Sequence, residues 1–278
     1  MPERPNFRRL HFSLKDRLVS FISDKLFQNF SYTVRHGLIE GMKRKGGLGF
    51  LSAALAPSPQ NSAEEAFLRS LDLKGKVVYD VGAFQGVMTL FFARRAKAVV
   101  TYEPLPASYA RILENVRHNG LSNVMVLNRA LGERESVMTL IYDPRLIGAA
   151  TGDATIGAQI RESIGEAVTL EVPVVRLDDD IPRNNLPLPD FVKIDIEGME
   201  LSALEGMRGT LVSRHPELYL EMHGTTAEEK ERRSRQIVQF LSAVGHGSLR
   251  HVETGKPVAA SDFALVSSGH LYCRAHEG

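Results

Sequence analysis

The chain has 278 residues, 34 basic and 33 acidic side chains, a net charge of +1 and 43% hydrophobic content. That balance makes no electrostatic demand for nucleic acid, and the length supports one large domain with an appendage. Cys273, the single cysteine, excludes an intrachain disulfide. No run approaches the ~20 apolar residues of a membrane span, so the composition predicts a soluble, cytoplasmic protein.

Residues 1–60 are predicted to form a helical, basic extension, and residues 61–278 the main domain. The first 56 residues carry ten basic and four acidic side chains. Leu14, Leu18, Phe21, Ile22 and Leu26 give a helix-spaced apolar stripe with cationic flanks. Such a stripe packs on the main domain or makes a peripheral membrane contact. Pro57-Ser-Pro-Gln-Asn-Ser marks a linker, and Ser62 precedes a capped helix. From Lys76 onward, strands at 77–82, 98–103, 123–128, 190–196 and 216–222 alternate with helices at 86–95, 106–119, 199–213 and 226–243. This rhythm predicts an α/β fold, a mostly parallel sheet with helices on both faces. Extra strands are expected at 136–143 and 168–177, with a lid or mobile loop at 144–166, and closing strands at 263–267 and 270–274.

The chemistry concentrates at strand ends. Asp80-Val-Gly82-Ala83-Phe84-Gln85-Gly86 closes the first strand and opens a helix. The second strand ends at Glu103-Pro104, 21 residues after Gly82. This is a nucleotide-binding βαβ unit, but its glycine spacing is not that of pyrophosphate binders, and an acid stands before the first glycine. A ligand with a nucleoside end and a cationic end is implied, and S-adenosylmethionine (SAM) has both. Gly82 and Gly86 let the backbone turn against the ligand, Asp80 braces the loop or holds the cofactor's ammonium, and Glu103 accepts from ribose hydroxyls. Small residues around Ala130 leave room for a flat adenine.

Lys193-Ile-Asp195-Ile-Glu197 puts three charged groups on one strand face, with Lys193 either neutralising the acids or leaving them to face a sulfonium or a substrate hydroxyl. Glu221 and His223 share a face at the end of the fifth strand. Asp195, Glu197 and His223 are the candidate proton acceptors. Spacing alone leaves Asp195, Glu221 and His223 open as ligands of a divalent ion, and no metal is assigned. Asp178-Asp-Asp180 reads as a solvated turn.

Taken together, these segments resemble the FkbM family of SAM-dependent methyltransferases, from about Ser62 to His223. The block Lys193-Ile-Asp-Ile-Glu-Gly-Met-Glu200 carries most of the resemblance, with Asp80-Val-Gly-Ala, Glu103-Pro104, Arg176-Leu-Asp178 and Glu221-Met-His223 in the same order. The resemblance implies a class I, Rossmann-like methyltransferase fold and O-methylation of a sugar, glycolipid or polyketide-type hydroxyl. SAM would be held by Asp80, Gly82, Ala83, Gly86, Glu103, Pro104 and Ala130. The implied partner is a small-molecule or carbohydrate acceptor, not nucleic acid. Phe84 stands where the family often has Asn. The alternatives are a NAD-type oxidoreductase, which the missing G-x-G-x-x-G opposes, and a catalytically silent SAM-fold scaffold, which Phe84 favours.

Overall fold

Val77 to Val81 are buried along their whole length, the pattern of a central strand covered on both faces. The computed structural model describes residues 30–45, 62–142, 150–164, 167–259, 261–262, 267 and 269–275. A hairpin of β1 (Ser31–Thr33) and β2 (Lys43–Lys45) precedes α1 (Ala63–Ser70). The core opens with β3 (Val77–Val81), α2 (Val87–Ala93), β4 (Ala98–Tyr102), α3 (Pro106–His118) and β5 (Val124–Leu127). An insert follows, made of β6 (Ala130–Leu131), β7 (Ser136–Tyr142), β8 (Ala150–Thr151), α4 (Ala154–Ile164) and β9 (Val168–Val175). The chain returns through α5 (Leu177–Arg183), β10 (Phe191–Ile194), α6 (Glu200–Gly206), α7 (Arg208–Arg214), β11 (Glu217–Glu221) and α8 (Ala227–Ala243). It closes with β12 (Ser248–His251) and β13 (His270–Arg274).

The main sheet runs β12-β13-β11-β10-β3-β4-β5. Its five strands from β11 to β5 are parallel, whereas β13 runs antiparallel to β11 and β12 antiparallel to β13. The chain builds outward from β3 to β5, then crosses back to place β10 on the other side of β3. The carboxyl ends of β3 and β10 therefore form a switch point, where open α/β sheets bind ligands. Alternate side chains of β3 feed two apolar layers. Tyr79 and Val81 pack with Leu177, Leu204, Leu211 and Val238, while Val78 packs with Leu68, Leu90, Phe92 and Met42.

The five parallel strands fall where the sequence predicts them, and Ser62 caps α1 by accepting from Glu65 N at 3.0 Å. Other elements differ. The part of the extension that is described is a hairpin, not a helix, and Ile39 and Met42 belong to the main apolar layer. Its second strand is held by amides from α3 and its C-cap: Asn119 Oδ1 accepts Lys43 N at 2.8 Å and Asn115 Oδ1 accepts Lys45 N at 2.9 Å. The apolar stripe at 14–26 lies outside the described residues. The helix expected at 199–213 is two, because Met207 leaves helical geometry and Asp178 caps the second one. Asp178 accepts Gly209 N and Thr210 N, each at 2.8 Å.

Asp180 is not solvated either. It is fully buried and accepts from Tyr102 Oη at 2.8 Å, Arg129 Nη1 at 2.7 Å and Asn184 Nδ2 at 2.9 Å. The two extra strands do pair, antiparallel, in a second sheet ordered β6-β9-β7-β8, and the described part of the expected lid carries β8 and α4. Of the closing strands, 270–274 is β13, most of 263–267 lies outside the described residues, and β12 is a strand the sequence pattern does not predict. Among the described residues no helix is long and apolar enough to cross a membrane.

Candidate active site

The turn after β3 is a close fit of backbone on backbone. Gly82 has φ +78°, and a Cβ there would lie 1.9 Å from the Asp195 carbonyl oxygen. Only glycine tolerates both the angle and the approach. Phe84 is also left-handed, with φ 51°, a region costly for a bulky side chain and easier for Asn. Phe84 N donates to Glu103 Oε2 at 2.7 Å, and Leu105 N donates to Glu103 Oε1 at 2.9 Å. Glu103 thus ties the glycine turn to the end of β4. Burial pushes its carboxyl up to about 7, against the pull of those two N–H groups.

A cavity of about 160 Å³ lies over this turn. Gly82, Phe84, Glu103, Pro104, Leu105 and Ala130 line one wall, and Met138, Leu140 and Ala150 reach in from the second sheet. Asp195, Ile196, Glu197 and Met199 complete it. Of the predicted cofactor residues, Gly82, Glu103, Pro104 and Ala130 face the cavity. Asp80, Ala83 and Gly86 do not: they hold the turn from behind. Asp80 is fully buried, accepts from Thr89 Oγ1 at 2.6 Å and pairs with Lys193 Nζ at 3.4 Å. Ala83 packs with Ile112 and Val116, and a Cβ on Gly86 would stand 3.0 Å from Ile112 Cγ1.

Lys193 is the buried counter-ion of the site. Its Nζ lies 3.4 Å from Asp80 Oδ1 and 3.3 Å from Asp195 Oδ2, and donates to Gly82 O at 2.7 Å. Burial lowers its pKa, but Asp195 and Asp80 outweigh that and leave it raised.

The predicted proton acceptors converge from two segments, the turn after β10 and the end of β11. β10 ends at Ile194, so strand alternation does not carry Glu197; its left-handed backbone, φ 50°, turns it toward Asp195 and His223. Thr151 Oγ1 donates to Glu197 O at 2.8 Å, and Arg233 Nη1 donates to Gly198 O at 2.6 Å, holding that turn from β8 and α8. His223 Nε2 faces Asp195 Oδ1 at 3.7 Å, Glu197 Oε2 at 3.6 Å and Glu221 Oε1 at 3.7 Å.

His223 Nδ1 is bonded to Glu200 Oε1 at 2.8 Å. Burial works against charge on the ring, but Glu200, Glu197 and Asp195 prevail and raise its pKa to about 9. This surrounding favours the charged ring at neutral pH, the opposite of a free base. Glu200 is 2% exposed, and the sequence marks it only as the last residue of the Lys193–Glu200 block. Its part in fixing His223 leaves no trace in the spacing, because α6 and β11 meet only in the fold. Glu221 extends the network to His270 Nε2 at 3.4 Å.

The strand order, with its antiparallel β13 inserted beside β11, and the ligand crevice at the β3–β10 switch point define a class I fold, that of SAM-dependent methyltransferases. A family model of the methyltransferase FkbM domain matches residues 80–247, and the chain belongs to that family. It is 27% identical over 142 residues to the hexuronic acid methyltransferase AglP of Haloferax volcanii, covering 49% of this chain and 52% of AglP. It is 27% identical over 173 residues to the 31-O-demethyl-FK506 methyltransferase FkbM of Streptomyces tacrolimicus, covering 54% of this chain and 66% of that one. The chain spans 52–66% of the length of the curated relatives it matches. Among solved structures, methyltransferase FkbM from Methylobacillus flagellatus KT aligns with a TM-score of 0.47 at 20% identity, over 77% of this chain and 48% of that one.

Proposed function

We propose that this protein transfers a methyl group from SAM to an oxygen nucleophile, a hydroxyl of a sugar, glycolipid or polyketide-type small molecule. One observation carries the reading: a cavity with bare backbone at Gly82 and an acid at Glu103 opens directly onto the Asp195–Glu197–His223 cluster. The nucleoside would rest against Ala130 and Pro104, its ribose hydroxyls donating to Glu103, with the sulfonium toward Asp195. The names of the two relatives, one a hexuronic acid methyltransferase and one an O-demethyl-FK506 methyltransferase, support the same range of acceptors.

In this reading the acceptor oxygen attacks the methyl carbon from the side opposite sulfur. The O–C bond forms, the C–S bond breaks, and its electron pair stays on the sulfur of S-adenosylhomocysteine. The hydroxyl proton passes to a carboxylate, and Asp195 is the candidate. The protein contributes mainly by bringing oxygen, carbon and sulfur into line. The test is a screen of methyl-labelled SAM against sugars, glycolipids and polyketide alcohols, paired with calorimetric titrations of SAM and NAD. SAM binding with label transfer to an acceptor oxygen supports the reading. SAM binding without transfer to any acceptor points to the scaffold, and NAD binding alone to the oxidoreductase.

Glu103 gives a sharper test of the cofactor pose. Glu103→Gln keeps one acceptor oxygen but turns an amide N–H toward a backbone N–H and removes the charge. SAM affinity is expected to fall about 10–100-fold, or about 1–3 kcal/mol. The carboxyl ionises at about 7 in the empty protein, and ribose donors favour the ionised form. Wild-type affinity should therefore rise from pH 6 to pH 8, by up to about tenfold per unit below the midpoint, and then level off. The stability of the empty protein has the opposite sign. A carboxyl raised above its unfolded pKa of 4.5 holds a proton in the fold, and stability is lost as pH rises from there to about 7. Calorimetry at three pH values checks both: a flat wild-type profile, or a variant as steep as wild type, places the ribose elsewhere.

A further inference from the structure

We propose that Asp195, Glu197 and His223 form a site for one divalent cation of the Mn²⁺ or Mg²⁺ type, at the mouth of the cofactor cavity. Their ligand atoms all lie within 4.8 Å of one another. His223 Nε2 stands 3.7 Å from Asp195 Oδ1 and 3.6 Å from Glu197 Oε2. These separations are too long for hydrogen bonds. They are the spacing of ligands that share an ion, since atoms about 2.1 Å from one centre stand about 3–4.2 Å apart.

The histidine is also prepared from behind. Glu200, 2% exposed, holds Nδ1 at 2.8 Å and takes Gly198 N at 3.0 Å on the same oxygen. A buried carboxylate on the far nitrogen fixes the ring and aims the near one, the outer partner that metal-bound histidines ordinarily have.

The charges of the site ask for a cation as well. Asp195, Glu197 and Glu221 all face one edge of one imidazole, Lys193 is shared between Asp195 and Asp80, and His270 draws off Glu221, so the ion would take the place of the proton that His223 Nε2 otherwise carries. Two carboxylates and one imidazole suit a hard or borderline divalent ion rather than a thiophilic one. Asp195 and Glu197 also line the cavity, so an ion held there keeps positions open for an acceptor oxygen. The assignment adds Glu197 to the ligands that spacing leaves open and moves Glu221 to the periphery.

The test uses the full chain, stripped with EDTA and titrated with Mn²⁺ alone, with no SAM and no acceptor, so its result stands apart from the methyl-transfer reading. Loss of the free Mn²⁺ electron paramagnetic resonance signal should show one ion per chain, saturating below about 1 mM. Spin-echo modulation of the bound ion should show a coordinated ¹⁴N. Glu197→Gln should weaken binding by more than tenfold. Glu200→Gln, which touches no ion, should weaken it about 10–100-fold by releasing the ring. The wild-type measurements need no variant to fold. Saturable binding with nitrogen coupling sustains the site. Absence of saturable binding up to about 1 mM, or a bound ion without nitrogen coupling, overturns it.

Discussion

Lys193→Met is expected to cost about 3–5 kcal/mol of folding stability, the scale of breaking a buried ion pair from one side. Lys193 is 4% exposed and Asp80 is fully buried. The Asp80 Oδ1 atom that faces Nζ at 3.4 Å has no hydrogen-bond partner among the described residues. Methionine fills the volume but leaves that oxygen charged and alone in a packed interior. It also removes the donor on Gly82 O, which pins the turn. The lysine's raised pKa gives the sign of the pH dependence. A cation raised in the fold stabilises fully below its unfolded value of 10.5 and loses that contribution only at more alkaline pH, so the deficit should be constant across neutral conditions. Urea denaturation at pH 7 measures it. Adding Asp80→Asn to Lys193→Met should recover a large part, because the orphaned charge is then gone. A loss below about 1 kcal/mol for the single variant would mean that water or a bound ion, not Lys193, compensates Asp80.

The parts legible in the sequence are those where one physical cue dominates. β3, β4 and β10 are buried on both faces, so they read as continuous apolar runs ending in a glycine or an acid. Glu103 and Gly82 could be placed for the same reason: each follows a strand whose end is sharp. The rest depends on contacts between distant segments. The strands Ser31-Tyr-Thr and Lys43-Arg-Lys have no apolar alternation, and the second is docked by its backbone on Asn115 of α3 and Asn119 at that helix's end. Asp178 and Asp180 look like a polar turn, yet one caps a helix 31 residues on and the other is buried under Tyr102. The period-2 reading of Lys193, Asp195 and Glu197 fails locally: β10 ends at Ile194, and a left-handed residue, not a strand, brings Glu197 beside Asp195 and His223. Sequence pattern locates the crevice, while the geometry inside it is set by turns held from elsewhere.

Asp195→Asn should lower turnover by about 10²–10⁴-fold, the range expected when a positioned proton acceptor is lost. Asn keeps the volume and a carbonyl-type oxygen, so packing against Gly82 survives, and the Asp195 backbone oxygen that abuts Gly82 is untouched. The change removes one negative charge beside Lys193 and the cavity. SAM affinity should drop by less than about tenfold, since Asp195 is a third exposed and its attraction for a sulfonium is screened. The contrast between the two numbers is the informative result, because an interaction made only in the transition state lowers turnover without lowering affinity. Turnover measured with labelled SAM and an identified acceptor, beside calorimetric affinity, checks it. An equal fall in both would make Asp195 a cofactor ligand rather than a group that acts on the acceptor. Unchanged turnover in Asp195→Asn and in His223→Ala would move the chemistry out of this cluster altogether, whether its acids take the proton directly or act through a bound cation.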